Sequence, residues 1–197
     1  MANHVTTHVS IARGTSAAHK AMSELNSRHV ALKDTDDMAD WSDGYIPAFA
    51  LWEDTLAMYN AEDYVGVGGA IGAKWCYVYD YDDEDSISFE SAWHTPSELL
   101  QRICEEISKA DPDVIISYTS EDEFPNWVSS GVYADGELYD EETIDSEDFP
   151  ALGIKLWWDE ETEGKEEPDD FEPTWEELYE LMDENVQSMI DALEKKT

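Results

Sequence analysis

The chain has 197 residues, 48 Asp and Glu against 11 Lys and Arg, and a formal net charge of −37. A surface of that sign repels phosphate and lacks the Lys/Arg groove that nucleic acid needs, so direct DNA or RNA binding is excluded. Eight Trp and ten Tyr in a chain that is 42% apolar support a real core and exclude wholesale disorder.

Thirty-seven charges equal those on roughly 63 Å of duplex DNA, about 18 base pairs, while a globule of this length is about 40 Å across. The two cysteines, Cys76 and Cys104, have no metal spacing and imply no disulfide framework. The start MANHVTTHVSIAR is polar and no apolar run reaches membrane length, so neither a signal peptide nor a membrane span is expected. A cytoplasmic location is the expectation.

His4 to Ala12 alternates around Val5, Val9 and Ile11 and predicts a first strand. Thr15 or Ser16 can cap a following helix that places Ala18, Met22 and Leu25 on one face. This opening is the one non-acidic part: Arg13, Lys20, Arg28 and Lys33 face Glu24 alone. Asp34 to Gly44 reads as an acidic linker. Pro47 then predicts the first position of a second helix carrying Leu51, Trp52, Thr55, Leu56 and Tyr59, and Gly66, Gly68, Gly69 and Gly72 predict a loop after it.

Trp75, Tyr77, Tyr79 and Tyr81 alternate toward the acidic turn Asp82-Asp83-Glu84-Asp85, and Ile87, Phe89, Ser91 and Trp93 alternate away from it. That pattern predicts a hairpin of half-buried strands. Thr95-Pro96-Ser97-Glu98 has the form of a capping box before a helix with Leu99, Leu100, Ile103 and Ile107. Val114 to Tyr118 predicts another strand.

The order strand, helix, insertion, strand, strand, helix, strand is α+β and matches the ferredoxin-like split βαβ sheet. Ala134-Asp135-Gly136-Glu137 predicts a tight hairpin turn between extra C-terminal strands. Ile154, Leu156 and Trp158 alternate once more. Asp159 to Asp170 predicts a mobile acidic loop. Thr174 to Glu177 forms a second capping box, and an amphipathic helix closes the chain with Leu178, Met182, Val186, Met189 and Leu193 in one stripe. That stripe needs cover from its own sheet or from a second chain. The expected division is residues 1–125 as a core with an insertion at about 34–68, and residues 126–197 as a hairpin, acidic loop and helix packed on it.

The run GAKW at Gly72 to Trp75, the acidic hairpin, and ISFESAWHTP from Ile87 to Pro96 resemble the YubB/Api92-like family with a ferredoxin-like domain. Its members are proteins of phages, plasmids and other mobile elements. The opening Met1-Ala2-Asn3 before a strand, and the stretch from Asp111 to Asp140 with Gly131-Val132-Tyr133, are also similar to that family. The resemblance covers about the first 140 residues. His4-Val5 replaces the family's usual Trp-Cys, and Ala73 its usual Thr. The resemblance implies the fold and a mobile-element origin, with no catalytic residue to transfer.

Enzymatic signatures are weak. Gly66, Gly68 and Gly69 are followed by Ile71 and then a strand, which fails the dinucleotide fingerprint. Counted from Asp80, the twelve-residue calcium loop places Asp85 and Ser91 where Gly and Glu are required. His4 and His8 lie about 13 Å apart on one strand face, too far to share a metal. His94 lacks a recognisable nucleophile. Trp75, Tyr77, Tyr79 and Phe89 suggest a base-stacking sheet, but the net charge opposes it.

No catalytic residue, cofactor or metal is therefore expected, and function is expected to reside in the acid. The candidate partner-binding residues are Asp82, Asp83, Glu84 and Asp85; Glu121, Asp122 and Glu123; Asp140, Glu141, Glu142, Asp145, Glu147 and Asp148; and Asp159, Glu160 and Glu161. A solvated face explains an ordinary acid excess. Adaptation to high salt fits poorly with Lys outnumbering Arg. Mimicry of DNA phosphates, against a basic DNA-binding host protein, agrees with both the charge and the resemblance. The alternative is an acidic scaffold that self-assembles, with a homodimer through the last helix.

Overall fold

The computed structural model describes residues 3–33, 46–80, 85–123, 126–154 and 174–196. The described chain is α+β. β1 (His4–Arg13) leads into α1 (Ser16–Lys33), whose first turn is held by Thr15 and by Asp111, which accepts from both the Thr15 amide and its hydroxyl. An insertion follows: β2 (Ile46–Pro47), a 3₁₀ turn (Ala48–Leu51), α2 (Glu53–Asn60) and α3 (Tyr64–Ile71). Then come β3 (Cys76–Asp80), β4 (Ser86–Ala92), α4 (Ser97–Ala110), β5 (Ile115–Asp122), β6 (Trp127–Ala134), β7 (Glu137–Asp145), a short 3₁₀ turn (Phe149–Leu152) and α5 (Trp175–Glu194).

The strands form one antiparallel sheet in the order β2-β3-β4-β1-β5-β6-β7. Alternation along each strand divides its residues between two faces. Val9, Val78, Ile87, Phe89, Ile116, Tyr118 and Tyr133 face α1 and α4, where Met22, Leu25, Leu99, Ile103 and Ile107 complete the main core. Ile115, Val128, Val132 and Ile144 take the opposite face, under α5. The C-terminal stripe therefore docks on its own sheet: Leu178, Met182 and Met189 are buried, with Val186, Ile190 and Leu193 half-buried beside them.

The Asp-Gly turn forms as predicted. Asp135 and Gly136 both have positive φ, the backbone that a two-residue hairpin requires. Gly131 has a different task. Tyr118 pairs with it across β5 and β6, and the ring lies over it to donate its hydroxyl to Glu141 at 2.8 Å. A Cβ at Gly131 would clash with Tyr118 Cε1 and lie 2.9 Å from Cζ. Gly131→Ala is expected to cost about 1–3 kcal/mol of stability, the usual toll of overpacking. Urea unfolding of the two proteins checks it.

The insertion differs from expectation. Pro47 ends β2 and precedes a 3₁₀ turn; α2 begins only at Glu53. Gly66, Gly68 and Gly69 lie inside α3, where a loop was predicted. Each glycine disfavours helix by about 1 kcal/mol relative to Ala. Burial of Val67 and Ile71 offsets this, as does Asp63, whose carboxylate caps the helix by accepting from the Gly66 amide at 3.0 Å. Gly72, at φ +80, ends it in the left-handed conformation. Neither predicted capping box closes: Pro96 and Thr174 stand at the N-caps of α4 and α5 without a side-chain cap bond.

Candidate functional site

The predicted acid groups separate once placed. Asp82, Asp83, Glu84, Asp159, Glu160 and Glu161 lie outside the described residues, as do Leu156, Trp158 and the rest of the predicted mobile loop. Asp85 is exposed at the start of β4 and pairs with His19 on α1. In the run Glu121-Asp122-Glu123 only Glu123 is exposed, where its carboxylate accepts from the His4 amide at 3.3 Å.

Asp122 is 4% exposed. Its Oδ2 accepts from Asn126 Nδ2 at 2.6 Å and from Asn3 Nδ2 at 3.3 Å, tying the start of the chain to the β5–β6 connection. Glu121 is half-buried, and desolvation raises its pKa above the usual range, partly opposed by its hydrogen bond from Tyr179 of α5. Burial and Glu121 push the Tyr179 phenol up to about 12, so it stays a donor. Two of the three acids in this run therefore serve the fold. Alternation explains it: consecutive strand residues point to opposite faces, so such a run must send carboxylates inward.

The acids of β7 behave otherwise. Asp140, Glu141, Glu142 and Asp145 are exposed, and Glu147 and Asp148 extend the run. β7 is the edge of the sheet. Charge on an edge strand blocks pairing with another sheet, and one or two charges suffice for that; this strand carries more. Asp140 pairs with Val132 and Glu142 with Ser130, which places both on the α5 side of the sheet, while Glu141 points to the α4 side toward Tyr118.

α5 runs antiparallel to β7. Leu178 and Met182, in its first turns, share a cluster with Ile144 near the end of β7, and Lys196, just past its last turn, lies 4.7 Å from the Tyr139 ring near the start. Its solvent side carries Glu176, Glu177, Glu180, Asp183, Glu184 and Asp191, all exposed. Two rows of carboxylates thus lie alongside each other. Strand neighbours on one face are about 6.8 Å apart, and helix residues one turn apart are about 6 Å apart. On the α5 side of β7 the row consists of Asp140 and Glu142, because Ile144, next on that face, is buried.

Cations are distributed as unevenly. No Lys or Arg occurs between Lys109 and Lys155, a stretch that holds all of β5, β6 and β7, and none occurs within α5. Arg28, Arg102 and Lys109 belong to the α1 and α4 layer. There Arg28 pairs with Glu106, and Arg102 reaches across to Asp54 of α2. The fold thus brings two base-free segments together at one side of the sheet. Length and composition reveal the excess; only the packing of α5 on β6 shows that it is concentrated.

The remaining candidates have structural partners. His94 Nε2 bonds the Gly72 carbonyl at 2.7 Å, His4 pairs with Glu90, and His8 Nδ1 meets Ser88 Oγ at 2.9 Å. Among the described residues no group of three or more His, Cys, Asp or Glu is arranged to hold a metal ion, and no helix is long and apolar enough to cross a membrane. Cys76 and Cys104 are buried free thiols whose pKa burial pushes up. The predicted aromatic platform divides: Trp75 and Tyr77 alternate with core residues Cys76 and Val78, whereas Phe89 pairs with Val78 and lies in the core. Phe89 is therefore withdrawn from any stacking surface.

No protein-family model, curated protein or solved structure matches the chain.

Proposed function

We propose that this protein is a non-enzymatic DNA mimic that blocks a DNA-binding host protein. The observation that carries the reading is the set of exposed carboxylates on β7 and α5, two segments with no Lys or Arg of their own; the bases that reach them, Lys196 at Tyr139 and Arg13 at Glu194, lie where α5 ends. A rigid strand and a docked helix hold them without the ordering cost of a flexible acidic tail. Carboxylates in such rows gain the same long-range, salt-screened attraction to a Lys/Arg groove that phosphates do. Tyr179, 46% exposed between the α5 acids, supplies an aromatic anchor of the kind that carries binding energy.

The ferredoxin-like reading belongs to the same proposal. The succession β1-α1-β3-β4-α4-β5, with strand order β3-β4-β1-β5 and both helices on one face, supports a split βαβ reading in which the insertion, the β6–β7 hairpin and α5 are elaborations. With the YubB/Api92-like resemblance, it supports a phage or plasmid origin and action in the host cytoplasm. The target class is a nuclease, restriction, CRISPR-type, recombination or repair enzyme. A scaffold that dimerises through α5 would first have to strip Leu178, Met182 and Met189 from their own sheet.

Immobilised protein incubated with host lysate is expected to retain basic DNA-binding proteins at low salt. Duplex DNA and high salt should both release them. Neutralising Asp140, Glu142 and Glu180 should weaken retention at least tenfold more than neutralising Glu53, Glu62 and Glu105, three exposed acids outside the two rows. Equal losses from the two sets, or retention indifferent to duplex DNA, would overturn the proposal.

A further inference from the structure

The two carboxylate rows leave unused a pocket on the far edge of the sheet, where the insertion meets β3. It encloses about 120 Å³. Among the described residues five aromatics line it: Phe49 from the first 3₁₀ turn, Tyr59 from α2, Tyr64 from α3, Trp75 just before β3 and Tyr77 in it. Phe49 and Tyr59 stack at 4.3 Å and 18°, and Tyr64 stands edge-on to Tyr59 at 5.7 Å and 69°. Trp75 and Tyr77 lie 5.6 Å apart at 31°. Each ring is thus braced by another, in several orientations around one space.

Core packing does not account for this. Interiors are filled to crystal density and leave few voids larger than a water molecule. A space of this size approaches the roughly 150 Å³ cavity that takes a benzene ring. Nor is the lining suited to an anion: aromatic faces carry negative electrostatic potential, and burial raises the Tyr59 and Tyr77 pKa values, which keeps both phenols neutral. Among the described residues no Asp or Glu lines it. A fully hydrated ammonium would lose its water there with no carboxylate among the described lining residues to replace it, whereas a methylated ammonium is weakly hydrated and is attracted by an aromatic face.

Among the described lining residues Lys74 alone opposes a cation. It is exposed, and its Nζ sits 5.2 Å from the Trp93 ring centroid, so its charge is drawn toward a partner of its own. Trp93 is held at φ +68, a costly conformation for a bulky residue, with its amide donating to the Asn3 carbonyl at 3.0 Å.

We propose that this pocket is an aromatic cage for a methylated ammonium group. The same chemistry occurs on a methylated lysine of a protein and on a free choline-like molecule. The site is independent of the acidic rows, and its test does not involve them.

Isothermal titration of the full chain, at salt high enough to screen diffuse attraction, uses four probes. They are choline, its neutral tert-butyl isostere 3,3-dimethylbutanol, and a short peptide carrying either trimethyllysine or lysine. Choline is expected to bind saturably at one site, about tenfold more tightly than the isostere. Tyr59→Leu should cost about tenfold, and Lys74→Gln, an exposed change that leaves the rings in place, should strengthen binding a few-fold. Trimethyllysine peptide binding above both choline and the lysine peptide assigns the ligand to a protein; choline above the peptide assigns it to a small molecule. Both results support the cage. Equal affinity for choline and the isostere overturns it, as does uptake that does not saturate and is indifferent to Tyr59→Leu and Lys74→Gln.

Discussion

Leu178→Ala is expected to destabilise the protein by about 2–5 kcal/mol, the range for truncating a fully buried leucine. Leu178 is 0% exposed and packs with Val128, Ile144, Phe149, Ile154 and Met182, so its loss opens the space between α5 and the sheet. The effect should be local before it is global. α5 packs on β6 and β5, with Ile144 of β7 in its cluster, and the core under α1 and α4 is a separate cluster. Urea unfolding should then show α5 leaving first, as an early transition in tryptophan fluorescence from Trp175, with the remainder unfolding close to the native midpoint. Glu176→Gln, an exposed change on the same helix, should shift stability by less than about 0.5 kcal/mol.

The same variant separates charge from geometry. Leu178→Ala leaves the net charge at −37 but releases the helix that carries one carboxylate row. If the partner reads the rows, the variant binds more weakly at unchanged charge. If the partner responds only to total charge, binding is unchanged and the mimicry proposal fails.

Much of the sheet was legible because alternation has a simple cause. His4 to Val9 buries every second side chain, Val114 to Tyr118 is an apolar-rich run buried on both faces of the sheet, and the Asp135-Gly136 turn supplies the positive φ that joins β6 to β7. The stripe of α5 was equally plain, although only the structure shows that it lies on its own sheet. The insertion was not legible. Pro47 and three glycines are read by local propensity, while the outcome was decided by the Asp63 cap and by burial of Val67 and Ile71.

The acid was legible as a quantity but not as a surface. Glu121 and Asp122 look like their neighbours in sequence, yet they point under α5 and into a knot of asparagines, because strand neighbours alternate. Asp140 to Glu142 remain exposed because β7 is an edge, and strand order is not written in any local pattern. The aromatic cage was hidden for a related reason. Its described rings come from three elements of the insertion, which was read as one helix and a loop, and from β3 and the residue just before it.

Glu106→Ala is expected to cost about 2 kcal/mol at neutral pH and almost nothing in acid. Glu106 of α4 accepts from both guanidinium nitrogens of Arg28, one at 3.2 Å, and from Trp52 Nε1 at 2.7 Å. It thereby ties α1, α4 and the insertion into one layer, while Arg102 stacks over the Trp52 ring at 4.3 Å and pairs with Asp54. Alanine leaves the Arg28 and Trp52 donors facing partial solvent, so the cost falls in the middle of the range for hydrogen bonds to a charged group. Burial pushes the Glu106 pKa up, but the bonds from Arg28 and Trp52 outweigh it, and the folded value lies below the ordinary 4.5.

A depressed folded pKa means that the contribution is complete above about pH 4.5 and disappears as pH falls through the folded value. The stability difference between the parent and Glu106→Ala should therefore be flat from pH 7 to about 5 and shrink below that. Glu121 has the opposite sign: its raised folded pKa makes its contribution largest below 4.5 and removes it as pH rises through the folded value. Because Glu121 is present in both proteins, it cancels in the difference. A gap between the two urea midpoints that persists unchanged into strong acid would show that packing by the Glu106 side chain, and not its charge, holds the insertion to the two helices.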